Sequence, residues 1–369
     1  MRVKRVSLRD FRNYERADAE LGGGLTVVSG PNGAGKTNLL EAIYFGCTAR
    51  SPRTSNEREV VRRGAGVARV ALELDSAESG HMLEVGFEPG EAKRIRLDGR
   101  ALESLGSAEE RPLVSVFMPE RLELVKGAPA ARRAHLDHFV AALWPARVET
   151  RRAYSRALAQ RNALLARVRG GAAPGSIDAW DAELARHGAS LMADRCEAVR
   201  ELARPFAELG ERLGLPAAAE LRYRPRSAGT GDEAAAILAR ELTERRAADL
   251  ERGFTAHGPH RDDVQLLLGG ESLRSYGSQG QQRVALLGLL FAEREVLSRL
   301  RSRPPLMLLD DVMSELDAER RGLLAELLRA GGQAVITTAD ADHVPGAADE
   351  GTRMLDVAGG ILAAAAVAA

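Results

Sequence analysis

One stretch limits what the whole chain can become. Residues Leu25 to Phe45 read LTVVSGPNGAGKTNLLEAIYF. The β-branched and apolar run Leu25, Thr26, Val27, Val28 predicts a buried strand. The loop Gly30-Pro31-Asn32-Gly33-Ala34-Gly35-Lys36-Thr37 follows, and then an amphipathic helix with Leu39, Leu40, Ile43 and Tyr44 on one side. This is G-x-x-x-x-G-K-[ST] in the strand–loop–helix setting that the pattern requires. A chain that wraps a phosphate needs backbone conformations and close N–H approaches that a side chain would forbid, hence the glycines. The helix then starts beneath the phosphates with its unpaired N–H groups and positive dipole end directed at them. Lys36 is expected to reach the β- and γ-phosphates, and the Thr37 hydroxyl to ligate Mg²⁺. Asn38 completes the nucleotide-binding set. A turn capping an ordinary helix is the bland alternative, and the two correct flanks argue against it.

At 369 residues the chain has room for two domains with cores of their own. Its 52 basic residues balance 52 acidic ones, so a nucleic-acid contact must come from a local patch. Lysines stand only at Lys4, Lys36, Lys93 and Lys126. Cys47 and Cys196 have no CxxC partner and read as isolated thiols of a reducing compartment. The start leads straight into a strand pattern without a signal-peptide core, and the apolar tail Ile361 to Ala369 is too short to span a bilayer. The expectation is a cytoplasmic protein with no membrane partner.

Val3, Val6, Leu8 and Phe11 predict a first strand whose Arg2, Lys4, Arg5, Arg9 and Arg12 make a basic edge, either solvated or facing DNA. Arg50 and Arg53 lie in the break after the phosphate-loop helix. Strands are expected over Ala68 to Leu74, Met82 to Phe87 and Arg94 to Leu97, the last turning on Asp98-Gly99. Val114 to Phe117 follows as another buried strand, ending at Glu120. From about Ala128 to Leu250 the period becomes helical. Leu136, Phe139, Val140 and Leu143 share one face, and Tyr154, Leu158, Leu165 and Val168 another. Gly170 to Ser176 breaks the run before a second long helix with Trp180, Leu184, Leu191, Val199, Leu202, Phe206 and Leu213. Arg132, Arg133, Arg147, Arg151, Arg152, Arg156 and Arg161 are expected on the outside of this helical hairpin, as a solvated face or as a partner surface. His257 and the segment Gly258-Pro259-His260-Arg261-Asp262-Asp263 suggest a turn into the strand Val264 to Leu268, with a metal site as the alternative.

Pro305 to Asp311 is an apolar strand ending in two acids. In a phosphate-loop NTPase this is the place of the carboxylate that holds Mg²⁺, here Asp310. Asp311 stands where a general base could polarise the attacking water. Upstream, Ser278-Gln279-Gly280-Gln281 opens a long helix, as an ordinary cap or as an anion site. Downstream, Ser314-Glu315-Leu316-Asp317 precedes another helix, and Ala334 to Asp340 predicts a further strand.

GPNGAGKT, SQGQQR, LLDD and SELD, in this order, resemble the Walker A, signature, Walker B and D-loop elements of ABC-type ATPases. Together with GKTNLLEAIYF, FMPERLELVKGAPAARRAHLD and HGPHRDD they resemble bacterial RecF, the SMC-like repair ATPases, over nearly the whole chain. The fold so implied is α/β: an ABC-type P-loop ATPase head with a mixed sheet, split as 1–127 and 251–369, around an inserted helical lobe at 128–250. The resemblance implies ATP and Mg²⁺ as cofactors and a homodimer that closes on two ATP molecules. Ser278 of one protomer, with Gln279, Gly280 and Gln281, would face the γ-phosphate held by the partner's Lys36, and Ser314 and Asp317 would line the same interface. It further implies a weak, DNA-stimulated ATPase of recombinational repair, replication restart and the SOS response, binding double-stranded or gapped DNA and assisting RecO and RecR in loading RecA. Arg53 resembles an arginine that such heads place near the nucleotide. Glu120 replaces the usual glutamine, Thr338 or Asp340 the usual switch histidine, and Asp311 the more common glutamate. The shorter arm of Asp311 predicts slow turnover. The competing readings are an ABC transporter-type ATPase subunit and another SMC-like, ATP-gated scaffold.

Overall fold

The computed structural model describes residues 1–76, 79–107, 111–171, 175 and 177–364. The chain divides into two compact units, one formed by Met1–Arg121 with Leu297–Ala369 and the other by Leu122–Val296.

The first unit contains two sheets. Strands β1 (Arg2–Phe11), β2 (Tyr14–Glu20), β4 (Ala68–Asp75), β5 (Gly80–Phe87), β6 (Arg94–Leu97) and β7 (Arg100–Leu102) form an antiparallel sheet in the order β2-β1-β4-β5-β6-β7. The β6–β7 hairpin turns where expected, with Asp98 and Gly99 both at positive φ (51° and 78°), as a tight two-residue hairpin demands. The other sheet is mixed. It contains β3 (Leu25–Ser29), β8 (Val114–Phe117), β12 (Leu306–Leu309), β13 (Ala334–Thr338), β14 (Arg353–Ala358) and β15 (Ile361–Ala364), in the order β15-β14-β3-β13-β12-β8. All its pairings are parallel except the β14–β15 edge. Every residue of β3, β12 and β13 is buried, as parallel strands covered on both faces require.

Helix α1 (Lys36–Thr48) touches both sheets. The expected one-sided helix is therefore buried nearly all round, with Leu39, Leu40, Ala42, Ile43, Phe45 and Cys47 all inaccessible. Burial pushes the Cys47 thiol up to about 12, so it stays protonated and inert. Helix α10 (Ala318–Arg329) completes the unit.

The second unit is built on helices α2 (Glu123–Lys126), α3 (Pro129–Leu143), α4 (Val148–Arg169) and α5 (Ile177–Arg212). Pairings Arg147–Asp194 and Arg161–Asp181 run outward from the turn and show that α4 and α5 are antiparallel. Strand β9 (Ala219–Arg224), helices α6 (Ala234–Glu244) and α7 (Arg246–Arg252), strands β10 (Asp263–Leu268) and β11 (Glu271–Ser272), and helices α8 (Leu273–Tyr276) and α9 (Gln279–Arg301) follow. Residues 172–174 and 176 of the expected hairpin loop, and 365–369 of the apolar tail, lie outside the described residues.

The inserted unit does not stop near residue 250. Strand β9 pairs along its whole length with β10, from Ala219–Leu268 to Arg224–Asp263. That pairing holds the segment after residue 250, and the start of α9, in the second unit. The lobe is thus a helical hairpin with a small antiparallel sheet.

Two of the arginines expected on the outside are inside. Arg132 is 6% exposed and Arg161 fully buried. Arg161 donates Nε to Asp181 (2.6 Å) and Nη1 to Asp249 (2.8 Å) and Thr255 (2.8 Å). A guanidinium can sit in a helical core only when carboxylates replace its lost water.

Candidate functional site

The site lies in the first unit, at the carboxyl ends of β3, β12 and β13, where α/β sheets place their ligands. Gly30 has φ +147°, and a Cβ there would stand 2.2 Å from the Val357 carbonyl. Gly35 has φ +122°, and its Cβ would stand 2.6 Å from Asn13 Nδ2. Both positions therefore exclude a side chain. The loop is tied from outside its own segment. Tyr14 Oη donates to the Gly35 carbonyl (2.9 Å), and Asn13 Nδ2 and the Gly360 N–H donate to that of Ala34 (both 3.0 Å). Lys36 folds over the loop, its Nζ donating to the carbonyls of Gly30 (2.6 Å) and Pro31 (3.1 Å).

Thr37 Oγ1 lies 2.9 Å from both carboxylate oxygens of Asp310, one residue beyond β12. Thr337 on the intervening strand donates to Asp310 Oδ1 (2.7 Å) and accepts from the Asp311 N–H (3.0 Å). Burial pushes the Asp310 carboxyl above the usual range. The hydroxyls of Thr337 and Thr37 oppose that shift, and the charges of Asp311 and Glu120 add to it. Asp311 occupies the left-handed region at φ 46°, uncommon for a residue with a side chain. Its Oδ1 is buried without a hydrogen-bond partner. Such an orphaned oxygen is costly unless a ligand satisfies it. The oxygen donors of Thr37 and Asp310, beside this unsatisfied carboxylate, fit a hard cation such as Mg²⁺.

A further group of charges borders α1, and sequence reasoning did not assemble it. Glu41 is fully buried. It accepts from Arg12 Nε (2.9 Å) and Nη2 (2.7 Å), Arg53 Nη1 (3.2 Å) and Ser51 Oγ (2.6 Å). Arg12 is therefore not part of a solvated basic edge, because a buried carboxylate claims its guanidinium. Arg53 also donates to Asn38 Oδ1 (3.0 Å) and Glu120 Oε1 (3.3 Å). Burial works against the Arg53 charge, and Glu41 and Glu120 more than offset it, raising its pKa. Arg53 thus stands beside the first turn of α1, and Glu120 serves it as an ion partner.

Thr338 is buried, its hydroxyl donating to the Asp340 carbonyl (2.7 Å) and accepting from that residue's N–H (3.2 Å). Asp317 caps α10 by accepting from the Arg320 N–H (2.9 Å), and Ser314 Oγ donates to the Asp311 carbonyl (2.8 Å). In the second unit, Ser278 Oγ accepts from the Gln281 N–H (3.2 Å), while Gln281 Oε1 accepts from the Ser278 N–H (2.8 Å). This reciprocal box starts α9. Ser278, Gln279 and Gly280 are exposed. A Cβ on Gly280 would meet only Ser278 Oγ, at 4.0 Å, so nothing among the described residues requires glycine there.

The His257–Asp263 segment is a buried polar junction. His260 Nδ1 accepts from Tyr154 Oη (2.7 Å) and Nε2 donates to the Thr255 carbonyl (3.0 Å). Asp262 accepts from Tyr223 Oη and, at 2.7 Å, from the Arg226 N–H. Arg195 donates to Asp137 (2.8 and 3.0 Å) and to the Pro259 carbonyl (2.8 Å). Among the described residues no group of three His, Cys, Asp or Glu side chains could hold a metal ion. The segment turns into β10 as expected.

On β1 the remaining basic residues divide. Lys4 pairs with Glu73 (3.1 Å) and Arg5 with Asp18 (3.5 Å). Arg9 stands directly opposite Arg16 on β2 and Arg69 on β4. Arg69 is opposite Gly86, and Gly86 opposite Arg94. One cross-strand row of the sheet therefore carries four arginines. Like charges directly opposite one another destabilise a sheet; Asp18 near Arg16 (3.8 Å) and Glu88 near Arg94 (3.7 Å) offset the charge at the two ends of the row.

A glycine-rich loop that leads from β3 into Lys36 and Thr37 at the start of α1, with a carboxylate delivered to that threonine from the parallel strand next but one, defines a P-loop ATPase head of the ABC type. Residues 2–362 match the RecF/RecN/SMC N terminal domain family. A DNA replication and repair protein RecF from Myxococcus xanthus is 40% identical over 378 residues, covering 98% of this chain and 97% of that one. The RecF of Streptomyces avermitilis is 38% identical, covering 94% and 95%. The solved structure of the recombination mediator protein RecF-ATP in the RecFOR pathway superposes with a TM-score of 0.89 at 30% identity, covering 99% of this chain and 97% of that one. An SmcHead bound to the C-winged helix domain of ScpA, 15% identical with a TM-score of 0.59, shares the fold. The chain belongs to the RecF family. Among the described residues no helix is long and apolar enough to cross a membrane.

Proposed function

We propose that this protein is an ATP-dependent DNA-binding protein of recombinational repair and replication restart. The observation that carries the reading is the Thr37–Asp310 contact at 2.9 Å, which joins the phosphate loop to the acidic strand end. The residues from Gly30 to Asn38 bind the triphosphate, with Lys36 exchanging its loop carbonyls for phosphate oxygens. Thr37 and Asp310 hold Mg²⁺, which neutralises charge on the β- and γ-phosphates when bound. Asp311 orients the attacking water and takes its proton. Its short side chain makes hydrolysis slow.

Two protomers close head to head on two nucleotides. Ser278 and Gly280 of one protomer reach the γ-phosphate at the partner's Lys36, with Ser314 and Asp317 at the same interface. The open space at Gly280 and the exposure of Ser278 support this. ATP binding is then the switch, since the γ-phosphate supplies contacts that ADP lacks, and hydrolysis resets it. The arginine row through Arg9 and Arg69 supports a DNA contact despite the zero net charge. The RecFOR description of the solved relative supports RecO and RecR as partners, with RecA loading as the outcome.

The test is anisotropy of a labelled gapped duplex titrated with protein in ATP, in ADP and without nucleotide. Tight binding confined to ATP and weakened by salt supports the reading. Absence of binding in every state overturns it in favour of an SMC-like, ATP-gated scaffold.

A further inference from the structure

The second unit contains an open recess of about 760 Å³, walled by Arg133, Arg226, Arg245, Arg252 and Arg261. The only carboxylate on its wall among the described residues is Asp249. That carboxylate is fully buried and already used, accepting from Arg161 Nη1 (2.8 Å) and from the Ala256 N–H (3.0 Å). His257 on the same wall is engaged by Glu241 at 2.9 Å.

The five guanidiniums are not held in the same way. None forms an ion pair with a carboxylate among the described residues. Arg133 donates to the Asp262 carbonyl (2.6 Å) and Arg226 to that of Arg261 (3.3 Å). Arg261 lies over the Phe254 ring at 5.7 Å. Backbone and ring contacts orient an arginine without cancelling its charge. Several other arginines of this unit are paired, as at Arg132–Asp263, Arg147–Glu197 and Arg246–Asp181. Burial, foremost, and the neighbouring Arg195 charge lower the pKa of Arg133, and the Asp262, Asp263 and Asp137 carboxylates offset this only in part. The first turn of α3, from Ala128 to Ala130, lies on the same wall, and no side chain caps it. Its N–H groups and dipole add to the positive potential.

We propose that this recess binds the phosphodiester backbone of nucleic acid. Arginine forks suit phosphate oxygens and stay charged at any working pH. A free nucleotide fits less well, because among the described residues no Phe, Tyr or Trp lines the recess to stack a base and no unused carboxylate lines it to share a metal ion. The occupant rests on the DNA-binding reading above, whereas the site itself rests on the unpaired arginines.

The experiment compares the full-length protein with an Arg245→Gln/Arg252→Gln variant. Both residues are exposed, and neither belongs to the nucleotide site. Duplex binding is followed by anisotropy in ATP across a salt series, and ATP binding separately with a fluorescent analogue. Each lost phosphate contact removes about 0.9 from the slope of log affinity against log salt. The variant should therefore lose nearly two units of slope and roughly tenfold of the salt sensitivity between 50 and 200 mM, with ATP binding intact. If the double variant does not fold, Arg226→Gln alone should lose about one unit of slope. Unchanged slope and affinity, against a parent that binds duplex, overturn the site and leave the DNA reading standing. A parent that binds no duplex overturns both. Inorganic pyrophosphate is titrated alongside, and loss of its binding in the variant with DNA binding intact overturns the backbone assignment in favour of a free polyphosphate.

Discussion

Glu41 ties the phosphate-loop helix to two arginines from distant parts of the chain, and Glu41→Gln isolates what that tie contributes. The carboxylate is fully buried and accepts four hydrogen bonds, three of them from guanidiniums. Glutamine preserves the shape, cancels the charge and turns an N–H₂ donor toward donors. Breaking a buried ion pair from one side costs about 3–5 kcal/mol. The Arg12 and Arg53 side chains retain 17% and 29% of their exposure, so water recovers part of the loss and the lower end, about 3 kcal/mol, applies. For a unit of this size that lowers Tm by roughly 6–12 °C. Both tryptophans, Trp144 and Trp180, lie in the other unit. Unfolding of the whole chain is therefore followed by far-ultraviolet circular dichroism in urea, with tryptophan fluorescence reporting the other unit separately, beside titration with a fluorescent ATP analogue. ATP affinity should fall as well, because Arg53 loses one of the groups that hold it beside Asn38. A double-mutant cycle with Arg12→Gln should give a coupling of at least about 1 kcal/mol, since it removes one orphaned charge. A cost below 1 kcal/mol with no coupling would refute the reasoning and reduce the cluster to an ordinary surface ion pair.

Two further outcomes follow from the same geometry. Asp311→Asn should lower single-turnover hydrolysis by about 10²–10⁴ while leaving ATP binding intact, and an unchanged rate would remove Asp311 from the chemistry. His260 is half-buried as the neutral imidazole, and desolvation, aided by the Arg261 and Arg133 charges against its bond to Thr255, lowers its pKa to about 4. The unfolded chain protonates it near pH 6.5, so stability is lost as pH falls through that window, by about 2 kcal/mol between pH 7 and 5. His260→Asn should flatten this dependence in urea midpoints, and parallel losses in parent and variant would contradict it.

The phosphate loop and the acidic strand end were legible because their chemistry is local. Each motif sits in one short segment, and buried parallel strands announce themselves as unbroken apolar runs such as Leu306–Leu309. The Glu41 cluster was not legible, because Arg12, Glu41, Ser51, Arg53 and Glu120 meet only through tertiary packing. Arg161 did leave a signal. Its position falls on the same helical stripe as Tyr154, Leu158, Leu165 and Val168, so periodicity placed it inside while composition suggested outside. Packing decided for periodicity once Asp181 and Asp249 supplied the counter-charge. The limit of the inserted unit was hidden for another reason. It depends on β9 reaching across two helices to pair with β10, and no local pattern encodes that partner.

The central claim is that ATP, held through Lys36, closes a dimer. Sedimentation velocity of the full chain in ATP, in ADP and without nucleotide, with the Lys36→Ala variant alongside, tests it most directly. The account predicts a dimer only for the parent in ATP, with the variant monomeric throughout. A Lys36→Ala protein that dimerises in ATP as the parent does, or a parent indifferent to nucleotide, would contradict it.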